Sequence, residues 1–195
     1  MFKMENKMGK INTAEKITNE KFLNLYKLNA ENKEGRQIDY LVASRAKEVE
    51  ELKAINHEEK PDAVAILGIT EDEKIVLIRQ YRYAIGDYIY ELPAGLVDNG
   101  ENIYDTAIRE MKEETGLDLI PQKVPFNRGF YLSAGMTDES CAIVAGEVKG
   151  TISKADNEAN EEIEIILVDE DEIVRILKEE KVCMKTALCL MNVIY

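Results

Sequence analysis

Apolar and polar positions alternate with changing period along this chain, and the changes mark its elements. Residues 22–28 carry a strand-like pattern, Asn32-Lys33-Glu34-Gly35 forms a polar turn, and Ile38, Tyr40 and Val42 then alternate with Gln37, Asp39 and Leu41. That pattern predicts a β-hairpin. Before it, residues 1 to 19 are polar without clear periodicity and read as a flexible or weakly helical lead-in. After it, residues 48–57 read as a charged connector. Two apolar runs at 64–69 and 75–78, separated by Glu71-Asp72-Glu73-Lys74, predict a second hairpin whose strand continues through Arg79-Gln80-Tyr81-Arg82. Residues 88–91 form another extended segment ending at Pro93, and Gly95 is expected to release the backbone into a loop.

The period then shifts to that of a helix. Asn102 is a capping residue with Asp105 three positions on; Tyr104, Ala107, Ile108, Met111 and Thr115 recur at helical spacing, and Gly116 is a stop signal. Ala107, Ile108 and Met111 are the expected buried stripe. Further strands are predicted at 126–132, 141–148 and 162–168, with helices at 170–179 and 184–193. The fold class is α+β. Residues 1–60 are expected to hold the lead-in and hairpin, a candidate dimerisation element, and 61–195 the main domain.

Composition narrows the classes. The 195 residues are 45% apolar and 32% charged, a globular balance. A formal charge of −13 argues against sequence-independent binding to nucleic acid. There is no apolar run of membrane-spanning length and no signal-peptide core, so a cytoplasmic protein that engages neither membrane nor nucleic acid is expected. Cys141, Cys183 and Cys189 lie beside apolar neighbours and read as buried thiols. The sole histidine, His57, lies in the charged connector and reads as a surface residue rather than a zinc ligand or a triad member.

On the capped helix, Glu110 stands three residues before Glu113 and four before Glu114, which projects all three towards one side. Such repulsion is relieved by a cation, and clustered hard oxygens suit Mg²⁺ or Mn²⁺. A solvated acidic face is the ordinary alternative for any such helix. Here, however, Gly95, five residues, Glu101, seven residues and Arg109-Glu110-Met111-Lys112-Glu113-Glu114-Thr115-Gly116-Leu117 occur in fixed order, a spacing expected by chance in fewer than roughly one in a million such chains.

This stretch resembles the signature of the Nudix hydrolases at every defining position. Gln80-Tyr81-Arg82, the run Glu91-Leu92-Pro93-Ala94-Gly95 and the N-terminal hairpin resemble the ADP-ribose and ADP-sugar pyrophosphatase branch. The resemblance implies a mixed β-sheet sandwiched between helices, with an N-terminal β-hairpin extension. It implies metal-dependent hydrolysis of a nucleoside diphosphate sugar, with Mg²⁺ as the cofactor and Mn²⁺ as its substitute. It also implies a homodimer paired through N-terminal strands.

By the same resemblance, Glu110 and Glu114 are the main carboxylate ligands and the Ala94 carbonyl faces the metal. Glu113 ligates it or supports a ligand, and Glu101 and Arg109 orient the set. A general base is expected from the loop 133–139, with Glu139 the candidate and Asp138 the alternate. Arg82 is expected at the diphosphate and Glu91 at the nucleoside or ribose. Each of these has a plain structural alternative as an ion pair or a turn residue. Ala134 stands where that branch carries Pro, which keeps a GDP-sugar such as GDP-mannose open as substrate. A nucleotide-sugar sensor on the same fold is the alternative from another class; the intact Glu110, Glu113 and Glu114 speak for the enzyme.

Overall fold

The computed structural model describes residues 9–125, 128–153 and 163–194. These divide into two compact units: the residues up to Lys60 together with Phe130–Ser140, and Pro61–Gly129 together with the residues from Cys141 onward.

The first unit is built on an antiparallel sheet of β1 (Lys10–Lys16), β2 (Asn24–Glu31) and β3 (Gln37–Ser44), in the order β1-β2-β3. The β2–β3 hairpin follows the expected alternation: Tyr26 opposes Val42, and both are buried with Leu28 and Leu52. β1 corrects the reading of residues 10–16 as lead-in. Its sequence, KINTAEK, shows no regular alternation, because a register shift between Ile11 and Thr13 separates its apolar Ile11 and Ala14, and it is a strand because its backbone pairs along β2 from Lys10↔Glu31 to Lys16↔Tyr26. Residues 1–8 of the lead-in lie outside the described residues. The charged connector also gains structure, a 3₁₀ turn at Val49–Glu51 and a short helix α1 (Lys53–Asn56).

The second unit holds β4 (Ala63–Ile69), β5 (Ile75–Arg82), β6 (Asp87–Glu91), β7 (Ala94–Leu96), β8 (Asp118–Pro121) and most of β10 (Ser140–Lys149), with β11 (Ile163–Val168). Between β8 and β10, β9 is the two-residue Phe130–Tyr131, all that the described residues show of the strand expected over 126–132; Phe126 and Asn127 lie outside them, as does Glu162 before β11. The sheet runs β11-β5-β4-β10-β8, with β6 on β5 and β7 on β4. It is mixed, since β10 runs parallel to β4 but antiparallel to β8. Gly95 lies within β7 rather than in a loop, because Ala94–Leu96 pairs back onto Ala63–Ala65.

Both faces of this sheet are covered, which explains why β4 and β5 read as continuous apolar runs. Val64, Ile66 and Val76 pack with Ala107 and Met111 of α2 (Ile103–Thr115). Ala65, Ile75 and Leu77 pack with Ile173 and Ile176 of α3 (Glu170–Glu179) and Leu190 of α4 (Met184–Ile194). The result is an α+β sandwich of a mixed sheet between helices. α2 begins at the expected cap, where the Asn102 side chain accepts from the Tyr104 and Asp105 N–H groups, and ends at left-handed Gly116. Ile108 departs from the expected stripe: it is 40% exposed, and Ile103 and Thr106 are buried instead. Of the three free thiols, Cys141 is buried and Cys183 and Cys189 are half-buried.

Candidate functional site

The Asn102 cap sets the phase of α2, and that phase presents Arg109, Glu110, Glu113 and Glu114 towards β7 and the loop before the helix. Arg109 is the hub. Its Nε and Nη2 each donate to the Glu101 carboxylate at 3.1 Å, and Nη2 also reaches the Leu96 carbonyl at 3.2 Å. Nη1 donates to Glu110 Oε1 at 2.7 Å and to Glu113 Oε2 at 3.0 Å. One planar guanidinium thereby fixes three carboxylates.

The electrostatics follow from that geometry. The Arg109 guanidinium, with the Thr106 hydroxyl beside it, holds the Glu101 carboxyl down at about 2, against an ordinary 4.5. Reciprocally Glu101, followed by Glu110 and Glu113, pushes the Arg109 pKa up. Glu114 is 8% exposed, and its Oε2 accepts from the Ala94 N–H at 3.0 Å. Glu101, Glu110 and Glu113 are thus joined through Arg109, while Ala94 and Glu114 are joined by a bond of their own on the same strand–helix segment.

Gly95 sets the close approach. A β-carbon there would meet the Glu110 carboxyl group at 1.8 to 2.3 Å, so only glycine leaves this carboxylate its position. Among the described residues no three His, Cys, Asp or Glu side chains already converge as a cation cage. Two carboxylate oxygens, of Glu110 and Glu113, nevertheless converge on a single cationic nitrogen, Nη1 of Arg109. Those bonds are ion pairs; what fits a hard divalent cation is the donor chemistry, three carboxylates of Glu110, Glu113 and Glu114 within two turns of one helix.

The other expected site residues fall in two places. Arg82 at the end of β5 and Glu91 at the end of β6 bind each other, Nε to Oε2 at 2.6 Å, with Glu91 8% and Arg82 48% exposed by side chain. The β5–β6 register pairs Arg82 with Asp87 and Glu91 with Ile78, so the two side chains meet by reaching along the sheet, a contact that sequence spacing concealed. Glu139 belongs to the first unit and is ion-paired with Arg45 at 2.9 Å. Its neighbour Asp138 accepts from the Lys53 N–H at 3.2 Å, at the start of α1. The loop that carries both is held to β3 by the Ala43 N–H on the Met136 carbonyl, 2.9 Å, and by the Tyr40 hydroxyl on the Gly135 carbonyl, 2.6 Å.

The second unit is therefore an α+β sandwich with an arginine-centred acidic cluster on a loop–helix segment. Residues 59–186 match the model of the NUDIX domain, and the chain belongs to the Nudix family. Among relatives, it is 35% identical to the methanol dehydrogenase activator of Bacillus methanolicus over 126 residues, 63% of this chain and 65% of that protein. It is 32% identical to the ADP-ribose pyrophosphatase of Bacillus subtilis (strain 168) over 123 residues, again 63% of this chain and 65% of the relative. The ADP-ribose pyrophosphatase of Escherichia coli (strain K12) shares 31% over 118 residues, 56% of each. The matched stretch thus spans less than two thirds of these relatives. The crystal structure of an ADP compounds hydrolase superposes with a TM-score of 0.69 at 20% identity, covering 95% of this chain and 92% of that one, a likeness of fold. Among the described residues no helix is long and apolar enough to cross a membrane.

Proposed function

We propose that this chain is a divalent-metal-dependent hydrolase that cleaves the diphosphate bond of ADP-ribose or an ADP-sugar, giving AMP and a sugar phosphate. The observation that carries this reading is the Gly95–Glu110 approach on a helix that also carries the Glu113 and Glu114 carboxylates. Glu110 and Glu114 are the main ligands in this reading, with the Ala94 carbonyl, while Glu113 completes or supports the set. Mg²⁺, or Mn²⁺ in its place, would supply charge neutralisation at the diphosphate and a more acidic water.

The chain's own residues supply the order. Arg109 holds the carboxylates in a common arrangement, so little reorganisation is required when the substrate arrives. Arg82, braced by the buried Glu91, offers guanidinium N–H donors to a phosphate oxygen, and Glu91 borders the ribose. Glu139 is the candidate base and would have to exchange its Arg45 partner for the water it deprotonates.

Two relatives bearing the name ADP-ribose pyrophosphatase favour the adenosine substrate. Ala134, in the loop that holds Glu139, favours a second reading, a GDP-sugar such as GDP-mannose. Incubating the protein and Mg²⁺ with ADP-ribose, ADP-glucose and GDP-mannose, with a chelator control, separates the two. AMP released fastest from ADP-ribose supports the first reading, GMP from GDP-mannose the second, and nucleotide binding without cleavage a sensor.

A homodimer belongs to the same proposal. On the side of the first sheet that buries Tyr26 and Val42, the apolar face runs on to Ile11, Ile38 and Tyr40, which are 36%, 40% and 38% exposed. A second copy placed on that face would cover it. Sedimentation velocity of the wild type beside Ile38→Glu tests this, with a dimer expected only for the wild type.

A further inference from the structure

The segment from Glu91 to Gly95 joins the Arg82–Glu91 pair to the acidic cluster, and its backbone is held in an unusual way. Along an extended chain, alternate N–H groups point to the same side. On one side, those of Tyr90, Leu92 and Ala94 follow in a row. The Tyr90 N–H donates to the Lys181 carbonyl at 2.9 Å, the Leu92 N–H to Thr186 Oγ1 at 2.9 Å, and the Ala94 N–H to Glu114 Oε2 at 3.0 Å. The Cys183 N–H returns a bond to the Tyr90 carbonyl at 3.1 Å. On the other side Pro93 has no N–H to place, and its carbonyl accepts from Ile66 at 2.8 Å.

A short stretch leading into α4 thus extends the pairing of β6, and the Thr186 side chain stands in for the next backbone carbonyl. Both Leu92 and Thr186 are fully buried, so water offers no substitute acceptor. Thr186 lies in the first turn of α4, whose Leu190 packs in the same apolar cluster as Tyr90 and Leu92. Two residues beyond the Leu92 bond comes the Ala94–Glu114 bond, with Gly95 and Glu110 next to it.

We propose that Thr186 is a positioning residue for the site: by accepting the Leu92 N–H it fixes the register of Glu91–Gly95 against Glu114, making the C-terminal helix part of the machinery. This rests on the reading of Ala94, Glu110 and Glu114 as metal ligands. Val matches threonine in shape but removes the acceptor, whereas Ser keeps it. Loss of the acceptor frees the Leu92 backbone to shift, and the shift is passed to Ala94 two residues away.

The test compares Thr186→Val, Thr186→Ser and Glu114→Gln in the full chain, measuring Mn²⁺ binding by electron paramagnetic resonance together with kcat and KM. For Thr186→Val the expectation is roughly tenfold or greater weakening of Mn²⁺ binding, as for loss of a group that orients a metal ligand, and a fall in kcat with KM little changed. Thr186→Ser is expected to restore both. Wild-type Mn²⁺ binding and kcat in Thr186→Val would overturn the proposal. Unchanged Mn²⁺ binding and turnover in Glu114→Gln would instead overturn the metal-site reading beneath it. Should Thr186→Val fail to fold, Mg²⁺ titration of the wild type decides, followed by nuclear magnetic resonance. The Leu92 amide and Thr186 methyl signals shifting along with the Ala94 amide supports the coupling, and a shift at Ala94 alone refutes it.

Discussion

The Glu110 carboxyl group occupies the space that a side chain on Gly95 would need: a β-carbon at Gly95 would lie 1.8 Å from its carboxyl carbon. The glycine in β7 and the glutamate on α2 therefore specify each other. Gly95 does not adopt a positive φ, so backbone conformation alone would tolerate another residue there. What excludes one is the carboxylate.

Gly95→Ala accordingly separates stability from activity. The obstructed atoms are the far end of a flexible side chain, so Glu110 can swing away and the fold should lose no more than about 1 kcal/mol, as for substitutions that spare the core. The displaced carboxylate can no longer share Nη1 of Arg109 with Glu113. A thermal melt close to that of the wild type with hydrolysis reduced at least about 100-fold is expected. Near-normal turnover would remove Glu110 from the proposed ligand set.

The same contrast explains what was legible in the amino-acid sequence. The hairpin of β2 and β3 and helix α2 could be read because alternation, the Asn102 cap and the Gly116 stop are local signals. Glu110, Glu113 and Glu114 could be grouped because helical spacing is fixed. β1 could not be read, since its register shift between Ile11 and Thr13 leaves no regular alternation in KINTAEK. Nor could the mutual pairing of Arg82 with Glu91, the Arg45 partner of Glu139 or the Thr186–Leu92 bond, each of which depends on register or tertiary approach. Ile108 was misplaced because helical periodicity alone does not settle the edge of a buried stripe.

Glu101 gives the site a signature in acid. Its carboxyl titrates at about 2 in the folded protein against an ordinary 4.5, chiefly through its bonds to Arg109. A depressed folded-state value means that the ionised form favours folding; the contribution is complete above pH 4.5 and fades as the pH falls towards 2. In chelator, urea titrations of the wild type and Glu101→Gln should show the wild type ahead at pH 5 and the gap closing as the pH falls through that range. A gap independent of pH would mean that packing, not charge, is what Glu101 contributes.

Arg82 and Glu91 can be tested for support as well as recognition. Glu91 is nearly buried, so Arg82→Ala leaves a carboxylate without its 2.6 Å partner, a loss of about 1 to 3 kcal/mol. Arg82→Lys keeps the charge but not the fork, and should recover most of the stability while KM for ADP-ribose stays raised. Full recovery of both with Lys would confine Arg82 to a structural role.

Glu114→Gln probes the most buried carboxylate of the cluster. Glutamine has nearly the same volume, and its side-chain oxygen can still accept the Ala94 N–H that Glu114 accepts at 3.0 Å, so the strand–helix contact should survive. What disappears is the negative charge on an oxygen proposed to meet the metal. Folding and nucleotide binding are expected to persist while turnover falls by at least about 100-fold, since even indirect supports of metal ligands are worth 10- to 100-fold. Raising Mg²⁺ should recover part of the loss, because a weakened site fills at higher concentration. A variant with wild-type turnover at low Mg²⁺ would show that Glu114 only braces the Ala94 backbone, and the ligand set would then have to be built from Glu110 and Glu113.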